Sequence, residues 1–568
     1  MKYSFYISIF VLLCVVATGC QDDFLTQPPQ DEFTDDTYWT SESNVRTFSW
    51  GFYEAYFQGY GQSFGWGDYF SGQSLNDDFA PSSPPNFVRN VPTSGGGWYF
   101  GWVRKVNLFI DRVQQVPMDQ EAINHWTGIG RFFRALEYND LVKRFGAVPW
   151  YSEVLKEDEQ DKLYKKRDSH VAVMDNILAD FQYAVENVRA NDGTEGLTIN
   201  KYVVLSFMSR VFLYHGTYLK YHGIDEQKAS EYLQVAKDAA EQVINSGRYS
   251  VAADYRELFN SLDLGGNPEI ILYRKYQTGS ITHSLNSYSN KEPQTGASKD
   301  AIEAYLATDG LPIALSPNYQ GDKTIENVMA NRDPRITETF VQELRLNGID
   351  GNYSTSGYAQ HKFLNESIAD LPEGNSNDNT TDAPVIRYGE VLMNYAEASA
   401  ELGNLTQQDL DKSINKLRNR DGINMPDLQV IGGQPAVNGE VYDDPQRDPS
   451  VPSMVWEIRR ERRVELMMEG FRLDDLKRWK KLEYVDTIEN KDINRGAWIA
   501  RSEYPATEGD VRIEGGAEEG YIVPAFETQS QRRFDDPRVY LFPIPLDQIT
   551  LYENNGVTLE QNPGWESP

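Results

Sequence analysis

An all-α fold follows from three features of this 568-residue chain. Apolar residues recur at helical spacing in its regular segments. Those segments come in pairs joined by short turns, and alternating large and small apolar residues let neighbouring helices pack closely. Gly/Asn/Ser-rich stretches separate the groups and read as loops rather than strands. Long irregular loops and a few short strands complete the expected architecture.

The first element is not part of the fold. The chain opens MKYSFYISIFVLLCVVATGCQDDFL. Lys2 precedes an apolar run from Phe5 to Ala17, shorter than the roughly 20 residues a membrane helix needs. A positive start, a short apolar centre and small residues make an export signal. Ala17-Thr18-Gly19-Cys20 resembles a bacterial lipobox, with Ala17 where leucine is preferred. Residues 1–19 are therefore expected to be a lipoprotein signal peptide, and Cys20 the lipidated first residue of the mature chain. Cys14 and Cys20 are the two cysteines, so the mature chain would keep one acylated cysteine and no intramolecular disulfide. Residues 20–40 are acidic, carry Pro28-Pro29 and read as a tether. Residues 41–568 are expected to form one domain, with loop-rich ligand-binding insertions at about 60–102 and 255–380.

Helices follow in order. From Glu121 to Phe145, Ile129, Phe132, Phe133, Leu136 and Val142 keep helical spacing, with Gly146 as a stop and Pro149 beyond. Tyr202 to Tyr221 is apolar over most of its surface, as a helix enclosed by others would be. Lys228 to Val251 is alanine-rich, with Ala236, Ala239, Ala240 and Val243 on its packing face and Gly247 at its end. These pairs resemble tetratricopeptide-type hairpins, although no strict match to that motif's ~34-residue period is found. Residues 374–382 (GNSNDNTTD) read as loop. Helices resume at Val385–Leu402 and Asp409–Arg420. The strongest runs from Val451 to Lys481, where Val464, Met467, Met468, Phe471, Leu476 and Trp479 lie near one face. Its pairs Glu457/Arg460, Arg462/Glu465 and Glu469/Arg472 are worth a few tenths of a kcal/mol each. Charge this dense is expected on a solvated face, with structural salt links as its special role.

Composition narrows the function. A net charge of −31 repels phosphate backbones and anionic headgroups, which argues against nucleic acid and against electrostatic membrane binding. The membrane link falls to the lipid, since several acyl chains on one cysteine anchor stably. The chain carries 34 Tyr, 26 Phe and 11 Trp. Most belong between helices; those in Gly/Ser/Asn-rich segments suit stacking on sugars or gripping peptides.

No site for chemistry stands out. Gly61-Gln62-Ser63-Phe64-Gly65 matches the G-x-S-x-G pattern, but a nucleophile elbow needs a strand before the serine and a helix after it. Here an amphipathic helix precedes and a loop follows. The six histidines, His125, His170, His215, His222, His283 and His361, form no metal-ligand pair; His215 and His222 read as satisfied helix residues. The acidic loop with Asp378 and Asp382 lacks the glycine and terminal glutamate of an EF-hand. The expectation is no enzyme, no metal and no cofactor.

Ordered motifs along the whole chain identify a resemblance. They begin with CQDDFL at Cys20 and Pro28. GIGRFFRALEYNDLVKRFGAVPW (128–150) is similar to the pattern GEARFLRAYYYFDLVRLFGDVPL. AEQVINSGRYSV leading to Leu258-Phe259, NPEII (267–271) and DPR (333–335) follow. VIRYGEVLMNYAEASAELGN is similar to IRYAEVLLMYAEALNELGN, and INKLRNRDGI, IRRERRVELMMEGFRLDDLKRW, LFPIP and QNPGW complete the set. Gly389 stands where alanine is common and Leu473 where tryptophan is frequent. The chain thus resembles SusD/RagB-type nutrient-binding outer-membrane lipoproteins.

That resemblance implies a SusD-like fold with four tetratricopeptide-type hairpins, and a SusC-like TonB-dependent transporter as partner, which the lipoprotein covers as a lid. It implies a non-catalytic protein that captures oligosaccharides at the outer face of the cell outer membrane, with Asp22-Asp23 part of a surface-export address. A peptide ligand, as in RagB-like members, is the alternative; a surface glycoside hydrolase or a purely structural scaffold is further off. Ligand contacts in such proteins lie in divergent loops. The candidates here are Trp66, Tyr69, Asp77, Asp78, Arg89, Trp98 and Tyr99 in the first stretch, and Tyr276 and Tyr288 in the second.

Overall fold

The computed structural model describes residues 35–70, 75–525 and 532–566. The signal peptide, Cys20 and most of the expected tether lie outside the described residues. At the tether's far end, Asp35–Tyr38 is already a helical turn, and Trp39 packs against Phe48 and Phe109.

Six helices build the first half: α1 Glu42–Tyr56, α2 Gly101–Val113, α3 Gln120–Phe145, α4 His170–Asn187, α5 Lys201–His222 and α6 Glu226–Asn245. Their starts are chemically marked. The side chains of Ser41, Asp119, Ser169, Asn200 and Asp225 each accept a backbone N–H from the first turn, satisfying donors the helix cannot. Gly223, at φ +65°, closes α5 in the left-handed region. Successive helices pack as antiparallel neighbours, α3 on α4 and α5 on α6, and their apolar faces form the main core.

Three later helices are broken where the periodicity predicts continuity. The expected Asp409–Arg420 helix divides at Ser413 into Gln407–Lys412 and Ile414–Arg418. The expected Val385–Leu402 helix divides into β2 (Ala383–Arg387) and α7 (Tyr388–Glu401). β2 pairs antiparallel with β1 (Ile270–Arg274), Leu272 facing Ile386, so Val385 and Ile386 serve a buried two-stranded ladder. Likewise Val451–Lys481 divides into α8 (Ser453–Glu465) and α9 (Arg472–Arg478). Met468 and Gly470 adopt φ +66° and +85° between them. A Cβ on Gly470 would lie 2.2 Å from the Asp68 carbonyl oxygen, so the break lets two loops cross.

The charges of α8 do not face solvent, contrary to the expectation of a solvated face. Five cations (Arg335, Lys362, Arg387, Arg418, Arg420) and five carboxylates (Glu269, Asp333, Glu461, Glu465, Glu469) are buried together. Glu465 accepts from Arg335 and Arg420 at 3.0 Å and from Arg387 at 2.8 Å. Glu461 accepts from Arg335 and Arg418, and Glu469 from Arg387 and Lys362. Of the three local pairs, Glu457–Arg460 forms; Arg462 turns to Asp475 and Arg472 to Asp77. Helical spacing set the pairing expectation, and tertiary partners from five other segments replaced it.

A second core lies under the loops. Tyr60, Tyr69, Tyr255, Tyr273, Tyr276 and Tyr305 belong to it. The tyrosines of the Gly/Asn/Ser-rich stretches are thus mostly packing residues, not an exposed set.

Candidate ligand-binding cleft

A tight turn follows α1 and carries the first exposed ring. Gln62 bridges Gly65, and Gly61 sits at φ +90° where a Cβ would fall 1.9 Å from the Gly65 carbonyl oxygen. Only glycine fits such an approach. The turn is fixed from below: the Tyr276 hydroxyl donates to the Gly61 carbonyl at 2.8 Å, and the Tyr69 hydroxyl to that of Pro384 at 2.9 Å. Above, Trp66 projects, 44 % exposed, with its ring 5.1 Å from that of Tyr288 in edge-to-face contact. Phe64 at the tip is 68 % exposed. Asn377 donates to the Ser63 hydroxyl at 2.8 Å, joining the turn to the 374–382 loop.

Trp66 is part of the lining of a cleft of about 660 Å³. Its walls come from the Gln58–Tyr69 turn, from α3 and α5, from the α8–α9 junction and from Phe542. Polar groups line it throughout. Arg210 makes a two-pronged bond to Glu390, both at 2.6 Å, and its guanidinium lies over Phe207 and Phe471. Lys143 pairs with Asp474; burial disfavours its charge, but Asp474 and Asp140 outweigh that and raise its pKa. Asp68 and Asp140 are exposed to the cleft. Desolvation pushes Asp68 up to about 6 against Arg210, with Asp140 adding to the rise. Desolvation also raises Asp140, opposed by Lys143. Behind the wall, burial raises Glu137 to about 7, opposed by the Tyr56 hydroxyl that donates to it at 2.7 Å. A smaller cavity of about 350 Å³ lies across the turn, between Tyr53, Gln62, Tyr273 and Arg274.

The nine candidates separate by burial. Trp66 and Tyr288, one from each stretch, come together edge-to-face; Trp66 lines the cleft and Tyr288 stands behind it, outside the lining. Tyr69 and Tyr276 are instead buried struts of the turn. Asp77 and Asp78 are buried too: Arg472 grips Asp77 at 2.7 and 2.6 Å, and Arg463 holds Asp78 at 2.7 Å. Burial pushes Asp77 up, but Arg463 and Arg472 prevail and hold it well below the carboxylate range. Trp98 is buried edge-on against Phe100 and Phe145. These five offer a ligand no accessible surface, because each is spent on packing or on an internal partner. Arg89 is tied to Asp535 and to the Arg533 carbonyl, and Tyr99 is 63 % exposed; neither lines the cleft.

Sequence reasoning missed Asp68, Asp140, Lys143, Arg144, Arg210 and Lys477. One signal was present. Asp140, Lys143 and Arg144 stand three and four residues apart, a polar face on an otherwise buried helix.

No catalytic constellation accompanies the cleft among the described residues. Ser63 is followed by no helix, and His283 accepts from the Leu285 N–H while its Nε2 meets the Thr381 carbonyl, so it is not a base for that serine. His215 is bonded between His170 and Asn139, and His222 to the Lys477 carbonyl. Among the described residues no cluster of three His, Cys, Asp or Glu side chains is placed to hold a metal, and no helix is long and apolar enough to cross a membrane.

Comparison with known proteins agrees with this architecture. SusD-like protein P38 of Formosa agariphila is 21 % identical over 513 residues, covering 87 % of this chain and 95 % of that one. A SusD-like carbohydrate-binding protein from Bacteroides fragilis superposes with a TM-score of 0.67 at 22 % identity, over 91 % of this chain and 99 % of that one. A laminarin-binding SusD-like protein superposes with a TM-score of 0.55 at 18 % identity, over 93 % and 100 %. The resemblance in fold is to an all-α, SusD-like scaffold. The model of the SusD family matches residues 268–565, and the chain belongs to that family.

Proposed function

We propose that this protein is a non-catalytic receptor that captures an oligosaccharide in the cleft beside Trp66. The observation that carries the reading is exposed Trp66, backed edge-on by Tyr288, in the lining of a cleft walled by hydrogen-bonding side chains. Aromatic faces suit the apolar faces of sugar rings, and fixed polar groups suit their hydroxyls. Structural relatives named for carbohydrate and laminarin binding support the ligand class. In this reading lipid on Cys20 holds the protein at the outer face of the outer membrane, and the captured glycan passes to a SusC-like TonB-dependent transporter. Delivery would rest on differential affinity between open and closed states of the pair, not on bond making.

Charged walls favour one second reading, a peptide ligand. Calorimetric titration of the soluble protein, truncated after Cys20, against plant, host and microbial oligosaccharides and against peptides separates the two. Saccharide binding that weakens in Trp66→Ala supports the receptor reading. Binding of peptides alone replaces it with the second, and no binding of either rejects both for the isolated protein.

A further inference from the structure

The cations that line the cleft differ in their partners. Glu390 neutralises Arg210 and Asp474 neutralises Lys143. Two carboxylates of the lining are Asp68 and Asp140, the latter one helical turn before Arg144. Two further cations of the lining, Arg144 and Lys477, stand beside Phe542. Their charges lie 6.0 and 5.5 Å from the centre of the Phe542 ring, and among the described residues neither has a carboxylate within ion-pair distance. On a chain of net charge −31, two unneutralised cations around one aromatic ring are an arrangement that surface charge balance does not explain.

Arg144 is also held in place. Gly97, at φ +85°, lies so close that a Cβ there would fall 2.3 Å from Nη1 of Arg144. The Phe542 N–H donates to the Arg144 carbonyl at 2.7 Å, and the Leu546 N–H to that of Pro92 at 3.0 Å. Two separate segments therefore pack against Arg144, Gly97 at its guanidinium and Phe542 at its backbone. Burial, with Lys143 and Arg144 nearby, lowers the Lys477 pKa against the pull of Asp474. Desolvation is the largest cause of that shift, and repulsion from Lys143 and Arg144 adds to it.

The geometry points to an anion subsite here: Arg144 and Lys477, beside Phe542, hold the carboxylate or sulfate of an acidic oligosaccharide whose sugar rings extend along the cleft toward Trp66. This rests on the reading of the cleft as a glycan site. It also accounts for the charged walls without a peptide. Guanidinium and ammonium groups are strong donors to both kinds of oxyanion, and the partial enclosure makes each bond count for more than in open water.

The test is calorimetry at low and moderate salt with matched pairs of oligosaccharides. One pair is uronate oligosaccharides and their carboxyl-reduced forms; the other is sulfated galactan oligosaccharides and their desulfated forms. The expected result is acidic forms binding about tenfold tighter than their neutral partners, the scale of one or two charge-assisted bonds. The double variant Arg144→Gln/Lys477→Gln should bring that ratio close to one, while Arg144→Lys/Lys477→Arg preserves it. The pair that shows the preference tells carboxylate from sulfate. Equal binding of acidic and neutral forms overturns the subsite and leaves the glycan reading standing. A preference that survives in the double glutamine variant overturns its location. Failure of every saccharide to bind overturns the glycan reading and the subsite with it.

Discussion

Replacing Glu465 by glutamine tests whether the buried charge network is a stabilising element. The carboxylate accepts from Arg335, Arg387 and Arg420. Burial alone would raise its pKa, but Arg420, Arg387 and Arg335 win and hold it at about 2, against an ordinary value of 4.5. That difference corresponds to about 3 kcal/mol at neutral pH, which matches the roughly 3–5 kcal/mol lost when one partner of a buried ion pair is removed. Because the folded pKa is depressed, the contribution is fully present above about pH 4.5 and fades as the pH falls toward 2. Urea denaturation of Glu465→Gln at pH 7 should therefore show a loss of about 3 kcal/mol with an unchanged slope. The gap between variant and wild type should narrow by pH 3. Arg420 uses one nitrogen on its carboxylate partners while Nε and Nη1 find none. The double variant Glu465→Gln/Arg420→Met, which restores charge balance, should accordingly recover part of the loss. A deficit below about 1 kcal/mol at pH 7, the worth of an exposed pair, or one that does not shrink in acid, would refute the reasoning.

Other outcomes follow from the same geometry. Trp66→Ala should weaken saccharide binding about tenfold in calorimetry, the scale of a lost aromatic contact, with no change in Tm; Tyr276→Phe, which frees the Gly61 carbonyl inside the turn, should cost about 1 kcal/mol of stability. Glu137→Gln should stabilise the fold at pH 8 but not at pH 4. Burial raises the folded pKa of Glu137 to about 7, so wild-type stability falls as pH climbs from 4.5 to 7, by up to about 3 kcal/mol. Asp77→Asn should lower the denaturation midpoint sharply, since it strips Arg472 of a buried two-pronged partner; a midpoint within error of wild type would mean the pair is not stabilising. Cys20→Ala should move the protein from the membrane to the soluble fraction after cell breakage.

What the sequence determined by itself was local. The extents of α3, α5 and α6 were legible to within a few residues because apolar spacing and stop glycines act locally. The GYGQSFGWG turn was legible as a loop because its glycine density conflicts with a helix, but which of its rings stays exposed was not. Tertiary structure decided the rest. Whether Tyr276 stacks on a ligand or bolts down a turn depends on what lies opposite it, and Gly61 is 215 residues away. The same holds for Asp77, whose partner Arg472 is 395 residues distant. The charges of Val451–Lys481 read as a solvated face because helical spacing says nothing about Arg335, Arg387 and Arg420 arriving from elsewhere. The cleft itself is a product of three meetings, the α1 turn, the α3–α5 surface and the α8–α9 break, and burial and pairing across them exist only once the chain has folded.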